Sequence, residues 1–216
     1  MKLFILLAIL IFSAHASQYS SSISPINTDI KKRMIQGKSW HKGCPVGLSS
    51  LRYLRIRHWN FQGHSTLGEM IVHKDIAHNV TEVFKHLYTI KYPIKQMRLV
   101  SDFKGKDWHS IEADNTSALN CRNVTGNKKK WSKHAYGKAI DINPIENPYI
   151  SRTGYISHKA SKPYRQRVHS PQKGTGYQAM LLPKSTAVTL FKKYGWQWGG
   201  DWKSIKDYQH FSIDIK

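Results

Sequence analysis

Acidic side chains are scarce in this sequence of 216 residues, which has 13 Asp and Glu against 34 Lys and Arg. The formal net charge is +21, and removal of Lys2 with a leader peptide would lower it by one, to +20. A surface with this balance attracts anionic partners, among which nucleic acid, acidic lipid and cell-wall polymers all qualify. Charge therefore indicates a polyanion without identifying it. The clearest basic clusters are residues 128–130 and Arg165 with Arg167.

Long hydrophobic runs are lacking after residue 16, so no later segment has the ~20 apolar residues that a membrane-spanning helix needs. At the start, Lys2 precedes an apolar run over residues 3–12, and Ala14 and Ala16 follow with the alternate spacing of a cleavage site. We expect residues 1–16 to be a signal peptide, which makes the mature protein periplasmic or secreted and leaves it without a transmembrane segment. An uncleaved N-terminal anchor is the alternative.

Cysteine occurs twice, at Cys44 and Cys121, and neither belongs to a Cys-x-x-Cys pair. This spacing argues against a thiolate zinc site. In an exported protein an even number of cysteines favours a disulfide, which here would tie the N-terminal segment to the middle of the domain. Two buried free thiols are the alternative interpretation.

The chain length favours one domain, over residues 44–216, preceded by a partly ordered, Ser-rich and then basic leader over residues 17–43. The spacing of apolar residues predicts that this domain contains both helices and strands. Predicted strands cover residues 51–59, 69–73, 94–100, 139–143 and 209–215. Predicted helices cover residues 76–91 and 184–194. Long polar loops are predicted over residues 101–130 and 145–180, and loops of this length often line a functional site.

Two short stretches concentrate the chemically useful residues: SKHAYGKAIDINP at residues 132–144 and DYQHF at residues 207–211. In the first, Gly137 allows the chain to turn between His134 and the strand that holds Asp141, so that an imidazole and a carboxylate can converge. In the second, His210 opens the last strand and Asp207 lies in the turn before it. We therefore expect these side chains to meet.

A catalytic zinc site needs three nitrogen or oxygen ligands and an open position for water, and His134, Asp141 and His210 supply that number. Asp207, three residues before a ligand, could then lie beside the water as a general base. Each residue also has an ordinary structural interpretation, since a histidine is usually a surface or core residue and Asp141 could bond a backbone amide. However, Asp141 lies between two isoleucines, where a carboxylate is costly to bury unless it is paired or bound to a metal.

Four segments in order resemble the zinc D-alanyl-D-alanine carboxypeptidase and L-alanyl-D-glutamate endopeptidase family, which includes phage endolysins and the dipeptidases of vancomycin resistance. They are NTSALNCR at residues 115–122, the 132–144 segment, WQWGGDW at residues 196–202, and the 207–211 segment. The order and spacing of the segments are more specific than any one of them. The resemblance implies a small α+β fold of the hedgehog-like type, with an antiparallel sheet, flanking helices and a zinc site at the sheet.

The resemblance also implies a role for each matching residue, with zinc bound by His134, Asp141 and His210. Asp207 corresponds to the catalytic base, and Arg122 to the arginine that binds substrate and stabilises the oxyanion. A surface-loop arginine is the alternative for Arg122. Part of the family has Glu at the base position, so Asp207 favours the endopeptidase-like branch. We leave Trp198 and Asp201 outside the site, because aromatic residues at a helix end are more often core.

The resulting hypothesis is a monomeric, exported zinc metallopeptidase that hydrolyses a D-amino-acid-containing bond in peptidoglycan stem peptides. It would act as a D,D-carboxypeptidase or as an L-alanyl-D-glutamate endopeptidase. The expected partners are the wall peptide as substrate and an anionic cell-wall surface, but not nucleic acid. Two other classes stay open: a non-catalytic basic wall-binding module and a secreted metal-dependent nuclease. The sequence does not reveal which bond is cut, or whether the wall is the producer's or a competitor's.

Overall fold

The computed structural model describes residues 18–214, so the predicted signal peptide and the end of the predicted last strand lie outside the described residues. The fold is α+β, as predicted. The strands are β1 Ser21–Pro25, β2 Leu51–Trp59, β3 Ser65–His73, β4 Gln96–Met97, β5 Asn115–Thr116, β6 Asn123–Val124, β7 Asn127–Trp131, β8 Ala139–Asp141, β9 Tyr149–Ile150, β10 Gln197–Trp198, β11 Lys206–Asp207 and β12 His210–Ser212. The helices are α1 Thr28–Gln36, α2 Ala77–Thr89, α3 Asp107–Glu112, α4 Thr175–Gln178 and α5 Thr186–Lys193. Between residues 18 and 214, no helix combines the length and the apolar character needed to cross a membrane.

The larger sheet is antiparallel and has the strand order β1–β2–β3. β2 has the predicted bounds, because its side chains alternate and send Leu54, Ile56 and His58 into the core. β3 pairs with β2 from end to end and begins at Ser65 rather than at the predicted residue 69. The prediction of two adjacent strands is therefore confirmed, with the second strand longer than expected.

Helix α2 packs on this sheet through one apolar face. The predicted core positions are all buried: Ile76, Val80, Val83, Phe84, Leu87 and Tyr88. Because a fully buried side chain of this kind contributes about 1.5–3 kcal/mol, this face is sufficient to hold the helix on the sheet. The helix ends at Thr89, short of the predicted residue 91, where the N–H of Ile90 donates to the carbonyl of His86.

The smaller three-stranded sheet is also antiparallel, with the order β10–β12–β8. Phe211 in β12 is fully buried, and its ring stacks on Phe191 of α5 with the centroids 3.9 Å apart. Helix α5 lies within the predicted range 184–194 and is followed by Gly195, whose φ of +87° favours glycine. This packing fixes β8 and β12 against the core.

The N-terminal segment is more ordered than the sequence indicates. β1 pairs with β2, and α1 begins at the side-chain cap of Asn27. Met34 in α1 is fully buried, and Arg33 contacts the carboxylates of Glu69 and Asp102 at 2.7 and 2.8 Å. These tertiary contacts hold a segment whose own apolar residues are too few to form a periodic pattern.

The two cysteines form the predicted disulfide, which joins Cys44 to Cys121 across 77 residues of sequence. Cys121 is buried, and its N–H donates to the carbonyl of Ser39. The bridge therefore ties the N-terminal segment to the middle of the domain, immediately before Arg122.

The prediction of a long surface loop over residues 101–130 is wrong. This region contains a 3₁₀ turn, α3, β5 and the β6–β7 hairpin, and residues 114–121 are buried. Asn115 shows the reason: its side chain accepts from the N–H of Arg98 and donates to the carbonyl of Arg98 and the hydroxyl of Ser110. In a sequence, polar side chains that are satisfied inside a fold look the same as solvated ones.

The second predicted loop, residues 145–180, is mostly irregular, with short 3₁₀ turns, β9 and α4. Arg167, which the sequence placed in a basic surface cluster, turns its guanidinium inward and donates to the carbonyls of Glu146, Tyr164 and Leu181 and to Asn147 Oδ1. Burial lowers the pKa of Arg167 to about 10. The residue therefore holds this loop together instead of facing solvent.

Candidate metal centre

Three side chains from separate parts of the chain converge on one point. His134 Nε2 lies 3.2 Å from Asp141 Oδ2, and His210 Nδ1 lies 3.1 Å from Asp141 Oδ1. The two imidazole nitrogens are 3.2 Å apart. All three residues are buried, and their possible ligand atoms lie within 4.8 Å of one another. The structure thus brings together the three residues that the sequence proposed as ligands.

Local structure around His134 explains its position. It lies in the 3₁₀ turn Lys133–Tyr136, which Ser132 caps by accepting from the N–H of His134. Gly137 follows with a φ of +66°, and a β-carbon there would lie 2.8 Å from the backbone nitrogen of His73. Glycine therefore permits both the predicted turn and the close approach of β3.

Sheet pairing positions the other two members of the cluster. Asp141 and His210 are direct partners in the antiparallel β8–β12 pair, next to the buried pair Ile140 and Phe211. Opposed residues in such a pair have their β-carbons about 4.5–5.5 Å apart. The register alone therefore places the carboxylate beside the imidazole.

The three groups shift one another's pKa values. Burial acts to raise the pKa of Asp141, but His134 and His210 outweigh it and hold that pKa well below its usual range. Burial acts to lower the pKa of both histidines. Asp141 outweighs burial at His134, whose pKa is raised, but not at His210, whose pKa is lowered. The carboxylate is therefore strongly held in its charged form between two imidazoles.

This donor set suits a zinc ion. Catalytic zinc sites use three histidine or carboxylate ligands and keep a fourth position open. His134 Nδ1 lies 2.6 Å from the carbonyl oxygen of Ala118, which orients the ring and turns Nε2 toward the cluster. Two buried imidazole nitrogens that face one buried carboxylate can hold a cation in place of a proton. The residues present therefore fit zinc.

Asp207 lies in strand β11, where it pairs with Tyr149 of β9, rather than in the predicted turn. The turn prediction failed because a two-residue strand has too little sequence to show alternation. Asp207 Oδ1 is buried and has no hydrogen-bond partner among residues 18–214. Burial, and then the negative charge of Asp141, raise the pKa of Asp207 to about 8. A carboxyl group with these properties can hold and release a proton near neutral pH.

Arg122 lies at the edge of the cluster. Its Nη2 is 2.9 Å from Asp107 Oδ2, and its Nη1 donates to the carbonyl of Asn123 at 3.2 Å. Its Nε is buried and has no partner in the described part of the chain. The positive charge of Arg122 acts to lower the pKa of His134, although Asp141 has the larger effect. The guanidinium is therefore close enough to influence the cluster.

Two residues next to the site are not among the predicted site residues. The Trp202 ring lies 5.5 Å from the His210 ring, and Asp107 contacts Arg122. Trp202 closes the WQWGGDW segment, which could have indicated it. Asp107 gives no such signal, because it belongs to the region that the sequence predicts as a surface loop.

The two residues that were left outside the site do lie outside the cluster. Trp198 is almost completely buried in the core, and its indole N–H donates to the carbonyl of Tyr208. Asp201 forms a surface ion pair with Lys192 at 2.7 Å. The aromatic segment therefore contributes mainly to packing.

Two clefts in the described part of the chain lie away from this site. One cleft of about 510 Å³ is lined mainly by residues 90–93 and 178–187, and another of about 450 Å³ lies between α1 and the turn at residues 101–104. Neither cleft is lined by a member of the cluster. The site is distinguished by its donor chemistry instead.

Residues 125–213 match the family model described as D-alanyl-D-alanine carboxypeptidase. The matched segment contains all three cluster residues and Asp207, whereas Arg122 precedes it. No curated protein and no solved structure matches the chain. The family match confirms the resemblance to the zinc D-alanyl-D-alanine carboxypeptidase type. At that level it supports a hydrolase of the peptidoglycan-peptidase kind, and a metallopeptidase.

Proposed function

We propose that this protein is an exported zinc metallopeptidase that hydrolyses a D-amino-acid-containing peptide bond in peptidoglycan stem peptides. The main support is the convergence of His134, Asp141 and His210, with Asp207 close enough for its pKa to respond to Asp141. The match over residues 125–213 supports the substrate class. D,D-carboxypeptidase and L-alanyl-D-glutamate endopeptidase activities both fit, and an aspartate at the base position favours the endopeptidase type.

The three cluster residues would hold zinc through His134 Nε2, the Asp141 carboxylate and His210 Nδ1. Zinc bound there supplies polarisation of the scissile carbonyl and a lowered pKa for water. The protein contributes fixed donors, because the carbonyl of Ala118 orients His134 and the β8–β12 pairing orients the other two side chains.

Asp207 is the proposed general base, and then the general acid. Its buried Oδ1 has no partner among the residues that the structure describes, which leaves it available to water or substrate. Without a cation its pKa is about 8, and an adjacent positive charge would favour the ionised form. In that form Asp207 takes a proton from the attacking water and passes it to the leaving amine.

Arg122 is proposed to bind the developing oxyanion or a substrate carboxylate. Its guanidinium is planar and permanently charged, which suits both ligands. Asp107 and the carbonyl of Asn123 each contact one terminal nitrogen. Each of these nitrogens carries a second hydrogen that can be donated to a ligand.

Removal of residues 1–16 as a signal peptide would place the protein in the periplasm or outside the cell. The Cys44–Cys121 disulfide supports export, because such bonds persist in oxidising compartments. We further propose that residues 44–216 form one hedgehog-like domain, to which the N-terminal segment adds β1 and α1. We also propose that the protein is a monomer and that its basic surface contacts an anionic wall.

Mass spectrometry of products from defined wall peptides tests the proposed function. The zinc-loaded protein should cut one D-amino-acid-containing bond, and chelation should abolish cleavage. His210→Ala should lose both activity and bound zinc. The exposed His64 on the turn between β2 and β3 offers a matched control, because His64→Ala also removes an imidazole but should keep both properties.

A wall-binding assay and a plasmid-cleavage assay separate the two other classes. A wall-binding module would bind walls equally well after chelation and cut no peptide. A nuclease would instead cut plasmid DNA. The peptidase proposal is wrong if the protein carries no metal after gentle purification, or if it leaves all wall peptides intact in the presence of zinc.

A further inference from the structure

Asp107, the first residue of α3, contacts the arginine at the edge of the candidate metal centre. Its Oδ2 lies 2.9 Å from Arg122 Nη2, and its Oδ1 accepts from Asn120 Nδ2 at 3.5 Å. Arg122 Nη1 donates to the carbonyl of Asn123 at 3.2 Å. The guanidinium is therefore held at both terminal nitrogens.

Backbone hydrogen bonding connects the ion pair to the candidate metal centre. The carbonyl of Arg122 accepts from the N–H of Ser132, and the Ser132 hydroxyl caps the turn that holds His134. The Arg122 and Asp107 side chains are 26% and 35% exposed, so a ligand can reach the pair. Because a partly exposed ion pair contributes little to stability, its loss should leave the fold intact.

We propose that Asp107 is a positioning residue, which holds the Arg122 guanidinium in the orientation that binds the oxyanion or carboxylate of the substrate. This inference rests on the proposed peptidase function and adds one residue to it. A free arginine side chain has considerable rotamer entropy, part of which is lost when the guanidinium binds a ligand. Asp107 lowers that loss, because it orders the side chain before the substrate arrives.

A double-mutant cycle in the zinc-loaded, full-length protein tests the inference. Asp107→Asn keeps the side-chain shape but removes the charge, and it should lower kcat/KM for wall peptides by roughly tenfold. In an Arg122→Ala background the same substitution should change kcat/KM by less than about twofold, because the residue that it orients is gone. An equally large effect in both backgrounds would overturn the inference.

A second measurement does not depend on activity. Because Arg122 Nε is buried, its N–H signal in the NMR spectrum of the metal-free protein should exchange slowly with water. Asp107→Asn should speed this exchange by roughly tenfold, whereas Asp107→Glu, which keeps the charge, should stay closer to the wild type. Unchanged exchange in the Asn variant, or equal acceleration in both variants, would contradict the positioning role.

Glu82→Gln is a matched control, because it removes one negative charge from an exposed pair whose atoms are 4.0 Å apart, Glu82 with Lys85. It should change neither readout. If Asp107→Asn does not fold, Asp107→Glu decides the question: kcat/KM within about threefold of the wild type supports the inference, and a loss equal to that of Arg122→Ala overturns it. A wild type without peptidase activity overturns the proposed function, whereas an active wild type with unaffected Asp107 variants overturns this inference alone.

Discussion

Asp141 and His210 face each other across two antiparallel strands, with Oδ1 and Nδ1 3.1 Å apart. A shift of one residue in the register would send either side chain to the opposite face of the sheet. The buried neighbours Ile140 and Phe211 oppose such a shift, because it would remove their side chains from the hydrophobic core. The geometry of the candidate metal centre therefore depends on the packing of the core beneath it.

Zinc should stabilise the folded protein, because the three proposed ligands come together only in the folded state. At a zinc concentration one hundred times the Kd, the expected gain is about 2.7 kcal/mol. Thermal unfolding with and without zinc measures it. His64→Ala should show the same rise in Tm as the wild type, and His210→Ala should show little or none. An undiminished rise in His210→Ala would mean that zinc binds elsewhere.

Asp207→Asn should reduce kcat by about 10²–10⁴-fold, because an amide cannot accept the proton that a general base removes. Zinc content should stay the same, since Asp207 is not among the cluster residues. Rate measurements on one wall peptide, together with metal analysis, check both points. The exposed Glu112→Gln serves as a control for the loss of a carboxylate. Full activity of Asp207→Asn would exclude the residue as the base.

Stability should fall as pH rises, because of the buried carboxyl pair Glu146 and Asp114. Burial, and then the charge of Asp114, raise the pKa of Glu146 from an ordinary 4.5 to about 9, and its Oε2 has no partner among the described side chains. The unfolded chain ionises Glu146 near pH 4.5, while the folded chain keeps the proton to about pH 9. The stability that the raised pKa of Glu146 contributes is therefore fully present below pH 4.5 and is lost progressively up to about pH 9.

Glu146→Gln should remove much of this pH dependence and add about 1–3 kcal/mol at pH 8, because the amide is neutral and can donate to Asp114. Lys95 and Tyr164 also face Glu146 and stay in place in this variant. Denaturant unfolding at pH 5 and at pH 8 measures the change. Glu112→Gln, which alters an exposed carboxylate, should leave the change of stability with pH as in the wild type. If the stability of Glu146→Gln changed with pH as steeply as that of the wild type, the assignment of this pH dependence to Glu146 would be wrong.

Reduction of the Cys44–Cys121 disulfide should destabilise the protein by about 2–4 kcal/mol, because the bridge closes a long loop in the unfolded chain. Melting temperatures with and without reductant measure this loss of stability. The Cys44→Ser/Cys121→Ser protein should melt at the lower temperature under both conditions. A wild-type melting temperature that does not respond to reductant would show that the bridge adds no stability.

The elements with strong apolar periodicity could be predicted from the sequence. β2 and α2 follow from alternation and from helical spacing, and their predicted core residues are buried. Residues 101–130 could not be predicted in the same way, because partners distant in sequence decide the burial of their polar groups. Asn115, for example, is satisfied by the backbone of Arg98, a contact that no local pattern shows.

The candidate site shows the same difference between what local sequence patterns reveal and what depends on distant residues. His134, Asp141 and His210 could be proposed from donor type, motif spacing and the family resemblance, and the structure brings them together. Asp107 could not be proposed from the sequence, because its proposed role depends on its contact with Arg122 at the edge of the site. Arg167 was misplaced on the surface for a related reason: the carbonyls that accept from its guanidinium come from several loops.

Anomalous diffraction at the zinc edge from zinc-loaded crystals is the most direct measurement of the proposed centre. We predict one strong peak within about 2.0–2.2 Å of His134 Nε2, a carboxylate oxygen of Asp141 and His210 Nδ1. Zinc bound only by other side chains, or no peak between these three residues, would contradict the proposed metal centre and the hydrolase mechanism built on it.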